Sequence, residues 1–175
     1  MTIRPLNEFD GKGWFKNSVR PVVPDTVVLH ATAGSTLAGA VSTLRQKGYG
    51  YHFLVEKDGT VWKGAPYLRQ VAHAGVSTGP RGPGANRHSI GICWVNLNDG
   101  RDPITADQLE SAAKLLLELR EGIAGLRWLT THWAITVKRD GSARKTDPRG
   151  VDVPRLAAFA GLEAWKPSYA ARFSL

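Results

Sequence analysis

Two histidines and one aspartate carry the clearest chemical signal in this chain of 175 residues. His30 follows the apolar segment 27–29, His132 follows the partly β-branched segment 129–131, and Asp147 lies in a polar loop directly before a proline. Two imidazoles and one carboxylate form a three-ligand set that leaves a fourth tetrahedral position for water, as in catalytic zinc sites. Because the spacing matches no local metal motif, the prediction of zinc requires a fold that brings the three side chains together.

Secondary-structure elements that end near these residues are expected to position them. The predicted strands span 26–30, 51–57, 60–63, 89–95 and 127–131, with a hairpin turn at Asp58-Gly59. Helices are predicted over 36–47 and 153–159, and a third helix follows a capping box at 105–108 with an apolar stripe formed by Leu109, Ala112, Ala113, Leu116, Leu119 and Ile123. This order predicts an α/β (α+β) fold with a mixed central sheet flanked by helices.

Three segments carry no strong periodic pattern. Residues 1–24 are expected to form an irregular lead-in to a single domain that spans 1–175. The glycine- and proline-rich segment 75–88 is predicted to be a long exposed loop, and residues 138–148 a second polar loop. Long loops inside compact domains are often functional, so both loops are candidates for contact with a substrate.

The composition limits the function classes. A hydrophobic content of 42% suits a globular protein, and no apolar run approaches the ~18 residues that a membrane span needs. The N-terminus shows no signal-peptide pattern, so we expect synthesis in the cytoplasm and export, if any, by another route. The single cysteine, Cys93, excludes an intramolecular disulfide and lies in an apolar run, which predicts a buried structural thiol.

The net charge of +8 indicates an anionic partner. The basic residues cluster in two regions and include Lys12, Lys16, Arg20, Arg139, Arg144, Lys145 and Arg149. Nucleic acid, an anionic cell-wall polymer and a membrane surface all have the required charge. However, aromatic residues do not alternate with these charges and no nucleic-acid-binding motif is present, so no nucleic-acid partner is expected.

Several ordered segments resemble the type 2 N-acetylmuramoyl-L-alanine amidase family, and in particular its small single-domain phage endolysins. The segments are 28–33, 51–61, 72–75, 88–92, 131–132 and 145–148, and they lie within roughly 26–160. The resemblance implies the fold shared with peptidoglycan recognition proteins. It also implies a zinc enzyme that hydrolyses the amide between N-acetylmuramic acid and L-alanine of the peptidoglycan stem peptide.

The resemblance assigns roles to individual residues. His30, His132 and Asp147 fall on the positions of the zinc ligands, and Lys145 falls on that of the catalytic lysine. In extended backbone, Lys145 and Asp147 point to the same face, which suits stabilisation of an oxyanion beside the metal. Tyr51 matches a tyrosine that some phage members place beside the water.

The acceptor of the water proton is left open by the resemblance. Other branches of the family use a glutamate in the strand that corresponds to 89–95, and here Cys93 stands at that position. The mechanism therefore depends on Tyr51, whose hydroxyl could orient the water or share its proton. A packing role for this aromatic ring is the alternative.

Other polar residues receive weaker assignments. His73 is expected to line the cleft and bind substrate, with a structural hydrogen bond as the alternative. His52 is expected to be buried and structural, and His88 has no assigned role. Contacts with muramyl or peptide groups are expected from Thr32, Asn86 and Arg87.

Several alternative functions remain possible, both among amidases and among proteins without amidase activity. The expected role is a phage or prophage endolysin that acts as a monomer, reaches the periplasmic cell wall by a holin-type route and lyses the host. The basic charge also suits an anionic cell-wall or outer-membrane surface. A cytosolic muropeptide-recycling amidase, an exported antibacterial effector, an inactive peptidoglycan-binding module and a polyanion-binding protein are the alternatives.

Overall fold

The computed structural model describes residues 2–15 and 20–170. Nine strands form a seven-stranded sheet and a separate two-stranded ribbon. In chain order they are β1 (Ile3–Pro5), β2 (Thr26–Ala31), β3 (Phe53–Val55), β4 (Val61–Lys63), β5 (Thr78–Gly79), β6 (Gly82–Pro83), β7 (Ser89–Trp94), β8 (Trp128–Thr131) and β9 (Glu163–Ala164). Strands β5 and β6 form the ribbon.

The large sheet is mostly parallel, with the order β1-β4-β3-β7-β2-β8-β9. Only β3 and β4 pair antiparallel, across the predicted turn at Asp58-Gly59. Strand β2 lies between β7 and β8, with His30 in register with Cys93 and Leu29 in register with Thr131. A parallel sheet covered on both faces needs strands that are apolar on both sides, which explains why β2 and β7 are buried throughout.

Five helices of the described ranges pack around the sheet: α1 (Asn7–Asp10), α2 (Leu37–Lys47), α3 (Ala106–Gly122), α4 (His132–Thr136) and α5 (Val153–Phe159). Helix α2 begins at its cap Thr36 and ends at Gly48, which adopts a left-handed conformation with φ of 67°. Helix α3 begins with the predicted capping box of Thr105 and Gln108. No helix in the described ranges combines the length and the apolar character needed to cross a membrane.

The two faces of the sheet have different roles. One face packs on α3 and α5 and forms the main core, which includes Val27, Leu29, Ile90, Ile92, Trp94, Leu115, Leu116, Val153 and Ala157. Because side chains alternate along a strand, His30 and Val28 lie on the opposite face of β2. There Val28 packs with Ala74, Ala85 and Ile135, beside the segments that carry the other candidate residues.

The predicted mixed sheet flanked by helices is confirmed, but several local expectations were wrong. The irregular lead-in contains β1 and α1, because β1 pairs in parallel with β4 and Leu6 is buried. Lys16 lies outside the described residues. The segment 75–88 contains the β5–β6 ribbon and a 3-10 turn, Ala85–Arg87, and buries Ser77.

The apolar stripe of α3 was also partly wrong. Leu109 is 37% exposed and Ala113 is half-buried, whereas Leu115 is buried against the sheet. Ala112, Leu116 and Leu119 were assigned to the correct face, and Ile123 follows the helix as its C-cap. The helix therefore contacts the sheet along a stripe rotated slightly from the predicted one.

Candidate metal centre

His30 and His132 meet because their strands are neighbours in the sheet. His30 lies near the carboxyl end of β2, and His132 follows β8 as the first residue of α4. The hydroxyl of Thr131 accepts a hydrogen bond from the Ala134 amide at 3.1 Å and caps this helix, which turns the chain directly after the strand. The two imidazole centroids lie 4.4 Å apart, and both side chains are buried.

Asp147 reaches the same point from the predicted polar loop. Its carbonyl oxygen accepts a hydrogen bond from the Trp133 amide at 2.9 Å, which ties the loop to α4. Its Oδ2 accepts a hydrogen bond from the Ala31 amide at 3.3 Å, which ties it to the end of β2. Asp147 Oδ2 lies 3.1 Å from His132 Nδ1 and 3.6 Å from His30 Nδ1.

The three side chains fit a zinc ion. One potential ligand atom from each lies within 4.8 Å of the others. Tetrahedral coordination with bonds of about 2.0–2.1 Å separates ligand atoms by roughly 3.3 Å, close to the two distances from Asp147. Within residues 2–15 and 20–170, His30 Nδ1 is a buried atom with no hydrogen-bond partner. His132 Nε2 lies 3.3 Å from the Ala74 carbonyl, to which it can donate its hydrogen, and this leaves Nδ1 for a metal.

The protonation states also suit a metal. Burial would raise the pKa of the Asp147 carboxyl, but the close imidazoles of His132 and His30 outweigh it and lower the pKa. Burial and the neighbouring His132 lower the pKa of His30 to about 4. An ionised carboxylate and a neutral imidazole at neutral pH are the forms that coordinate zinc.

The predicted catalytic side chains Lys145 and Tyr51 line one cavity with His132. The other lining residues are Leu44, Tyr49, Ala72, His73, Gly75, Asn86 and Arg144. The charge of Lys145 contributes to the lowered pKa of His30. The cavity therefore places a cationic side chain together with one candidate ligand, His132, whereas His30 and Asp147 are not among its lining residues.

Tyr51 and Cys93 are neighbours beside His30. The Tyr51 ring centroid lies 4.8 Å from that of His30. Burial, followed by the neighbouring Cys93, raises the pKa of Tyr51 well above its ordinary value, so its phenol is neutral at neutral pH. Burial also raises the pKa of the Cys93 thiol, and this residue is the buried thiol that the sequence predicts.

His73 is a mostly buried residue of the cavity lining and contacts a candidate ligand. Its Nδ1 lies 3.0 Å from His30 Nε2, and its Nε2 lies 3.2 Å from Ser89 Oγ. Burial, followed by the charge of His30, lowers its pKa well below the ordinary value. The structural hydrogen bond, which was the alternative for this residue, is therefore present, and contact with substrate stays a prediction.

Asn86 and Thr32 both hold the backbone of neighbouring loops. Asn86 lines the cavity, and its Oδ1 accepts hydrogen bonds from the amides of His73 at 3.1 Å and Ala74 at 2.8 Å. The Thr32 hydroxyl donates to the Gly34 carbonyl at 2.9 Å and accepts from the Asn96 amide at 3.1 Å. Contact of either residue with substrate remains a prediction.

Arg87 and His52 lie apart from the cavity lining. Arg87 is exposed, and its guanidinium lies close to Gly84. His52 is fully buried, as expected, with Nε2 2.8 Å from the Arg69 carbonyl and Nδ1 accepting from the Gly91 amide at 2.9 Å. His52 thus connects two backbone segments and has a structural role.

Arg144 is the cavity residue that the sequence interpretation missed. Its Nη2 donates to the carbonyls of Ala74 at 2.9 Å and Val76 at 3.3 Å, and it would contact a side chain added at Gly75. The sequence feature that could have indicated this role is the position of Arg144 beside Lys145 in a basic cluster. Nothing local indicated that its partner would be a loop about seventy residues earlier.

Comparisons with known proteins match this geometry to a family. The family model described as N-acetylmuramoyl-L-alanine amidase (Amidase_2) matches residues 19–150, which include all three candidate ligands. A Rickettsia conorii protein with a provisional N-acetylmuramoyl-L-alanine amidase name is 26% identical over 132 residues, covering 70% of this chain and 46% of that protein. The endolysin of Enterobacteria phage T3 is 35% identical over 74 residues, covering 40% of this chain and 44% of the endolysin. The matches thus span less than half the length of both relatives.

Solved structures share the fold. The N-acetylmuramoyl-L-alanine amidase LysC from Clostridium intestinale has a TM-score of 0.70 at 21% identity, covering 93% of this chain and 99% of that one. The amidase AmiD from E. coli, solved with the substrate anhydro-N-acetylmuramic acid-L-Ala-D-gamma-Glu-L-Lys, has a TM-score of 0.67 at 22% identity, covering 86% of this chain and 62% of that one. Since the family model also matches most of the sequence, this chain belongs to the type 2 N-acetylmuramoyl-L-alanine amidase family.

Proposed function

We propose that the protein is a zinc-dependent amidase that cleaves the bond between N-acetylmuramic acid and L-alanine in peptidoglycan. The observation that carries this proposal is the convergence of His30 Nδ1, which has no hydrogen-bond partner in the described chain, with His132 and Asp147. The match of the amidase family model across these residues supports the reaction. AmiD, which shares the fold, was solved with a muramyl peptide substrate, and this supports the substrate class.

The side chains of the cavity have separate tasks in this reaction. When bound, zinc supplies Lewis acidity and a nucleophile at neutral pH. The Lys145 ammonium stabilises the negative charge that develops on the scissile carbonyl oxygen. Because the pKa of Tyr51 is raised, its hydroxyl acts as a neutral group that orients the attacking water by a hydrogen bond. Cys93 has a raised pKa and stays protonated, so this buried thiol adds no negative charge beside the Tyr51 hydroxyl.

We further propose an endolysin role, in which a monomer made in the cytoplasm acts on the cell wall. The partial match to the phage T3 endolysin supports this role. The net charge of +8 suits attraction to anionic wall polymers or an outer-membrane surface. Digestion of intact sacculi would support an endolysin or an exported effector, whereas activity confined to soluble anhydro-muropeptides would support recycling.

Metal analysis combined with sacculus digestion tests the amidase proposal. We expect one zinc per chain, release of stem peptides from purified sacculi, loss of release after chelation and recovery when zinc is added back. Undiminished release by metal-free protein would overturn the zinc mechanism. Binding to sacculi without release of peptides, in zinc-loaded protein, would instead identify a binding module.

A further inference from the structure

We propose that His73 and Ser89 are positioning residues that fix the tautomer of His30, so that His30 Nδ1 presents a lone pair to the metal. This inference rests on the proposed metal site and extends it to residues that touch no ligand atom themselves. His73 and Ser89 are both buried, and in this proposal they act together on His30.

The direction of this hydrogen-bond chain is set at Ser89. Its hydroxyl lies 2.6 Å from the Ala85 carbonyl oxygen, which can only accept, so the hydroxyl donates there. The same oxygen lies 3.2 Å from His73 Nε2. Because the hydroxyl hydrogen is already engaged, Ser89 Oγ accepts from His73, and His73 Nε2 carries the hydrogen.

The position of the hydrogen on His73 determines which nitrogen of His30 carries its hydrogen. With the hydrogen of His73 on Nε2, its Nδ1 is an acceptor and lies 3.0 Å from His30 Nε2. His30 therefore donates from Nε2 and has a free lone pair on Nδ1. This Nδ1 is the buried atom left without a partner among the described residues, 3.6 Å from Asp147 Oδ2. That separation is too long for a hydrogen bond and suits two ligands of one ion.

The position of His73 is held by close packing. A Cβ atom at Gly91 would lie 2.8 Å from His73 Cγ and 2.9 Å from its Nδ1, so the ring rests directly on the β7 backbone. The Asn86 side chain holds the His73 amide from the other side. The ring centroids of His73 and His30 lie 5.1 Å apart and the planes meet at 86°, so the two rings contact each other through their facing nitrogens.

The two histidine ligands thus reach backbone carbonyls by different routes. His132 Nε2 faces the Ala74 carbonyl directly at 3.3 Å. His30 reaches the Ala85 carbonyl through His73 and Ser89. Partners of this kind in metal sites typically change metal affinity 10- to 100-fold when they are removed.

The first test measures tautomers in the metal-free protein. Nitrogen-15 NMR of the histidine rings should show His73 and His30 both protonated on Nε2. In Ser89→Ala, His73 should lose this preference. A His73 ring protonated on Nδ1 in the unmodified protein would overturn the proposal whether or not the protein binds zinc.

The second test measures zinc affinity by chelator competition. His73→Phe keeps a ring but removes the acceptor, and should weaken zinc binding roughly 10- to 100-fold. His73→Asn offers an amide oxygen near the position of Nδ1 and should recover most of that loss. The matched control is His52→Gln, which removes a neighbouring buried histidine that does not contact His30, and should leave zinc affinity within about threefold.

The outcomes separate this inference from the proposed function. Absence of zinc binding in the unmodified protein would remove the metal site, whereas the NMR result would still decide the tautomer. Normal zinc affinity in His73→Phe, together with an unchanged visible spectrum after cobalt substitution, would overturn the positioning role and leave the amidase proposal intact. Equal losses in His73→Phe, His73→Asn and His52→Gln would indicate a general packing effect and would also overturn it.

Discussion

At the scale of single residues, the ligand types could be inferred from the sequence, but their partners could not. His30, His132 and Asp147 are recognisable because their chemistry and their positions after short segments are local properties. The contacts of His73 depend on Ser89 and His30, which lie in separate strands and meet only in the folded sheet. The sequence therefore indicated a metal centre. It did not decide whether His73 binds substrate or forms a structural hydrogen bond.

The ligand role of Asp147 predicts a specific loss of metal. Asp147→Ala removes an ionised oxygen that lies 3.1 Å from His132 Nδ1, and we expect loss of stoichiometric zinc and of peptide release. Asp140→Ala is the matched control, since Asp140 is an exposed carboxylate in the same loop that accepts hydrogen bonds from Ser142. Elemental analysis after dialysis checks both variants; full zinc content in Asp147→Ala would exclude this residue as a ligand.

Lys145 should affect turnover without affecting metal content. Lys145→Ala removes the charge expected to stabilise the oxyanion, so kcat should fall about 10²- to 10³-fold while zinc stays bound. The exposed Lys138, changed to alanine, serves as the control for loss of one positive charge from the same loop. Steady-state release of stem peptides measures both, and normal turnover in Lys145→Ala would remove this residue from the mechanism.

At the scale of elements, the best predictions were those with signals in adjacent residues. Helices α2 and α3 were placed correctly because Thr36, Thr105 and Gln108 cap them locally. Strand β1 was missed because it is short and contains a proline, and only pairing with the distant β4 makes it a strand. Helix α4 was missed because its five residues are fully buried and lack an amphipathic pattern.

Gly91 in β7 allows a test of whether the packing of His73 on this strand affects metal binding. In Gly91→Ala, the added Cβ would lie 2.8 Å from His73 Cγ, so the ring must shift. We expect destabilisation of about 1–3 kcal/mol together with weaker zinc binding. Gly125→Ala is the control, because a Cβ there meets no atom within 4 Å, and it should change unfolding by less than about 0.5 kcal/mol. Urea titration and chelator competition measure the two effects; unchanged zinc affinity in Gly91→Ala would show that the ring shift does not reach His30.

At the scale of the whole molecule, the buried histidines determine how stability depends on pH. His52 is fully buried between two backbone groups and its pKa is lowered to about 4, because burial disfavours the charged ring. The unfolded chain, with a pKa near 6.5, therefore binds a proton that the folded chain excludes. Stability from this group is complete above pH 6.5 and is lost as the pH falls toward 4.

This linkage predicts acid sensitivity of the metal-free protein. The shift of His52 corresponds to about 3 kcal/mol of unfolding free energy lost between pH 6.5 and 4. Denaturant titrations at several pH values in this range give the unfolding free energy as a function of pH. The slope of that plot should correspond to about one fewer proton taken up on unfolding in His52→Gln, whose side chain cannot titrate. Parallel slopes for the two proteins would show that His52 is not the responsible group.

The position of β2 within the sheet has a consequence for the synthesis of this protein in the cell. Its neighbour β8 and the loop that carries Asp147 come from much later in the chain. A ribosome must therefore synthesise the chain beyond Asp147, and the sheet must close around β2, before all three proposed ligands can meet. The proposed amidase activity would therefore be absent from every nascent chain that ends before Asp147.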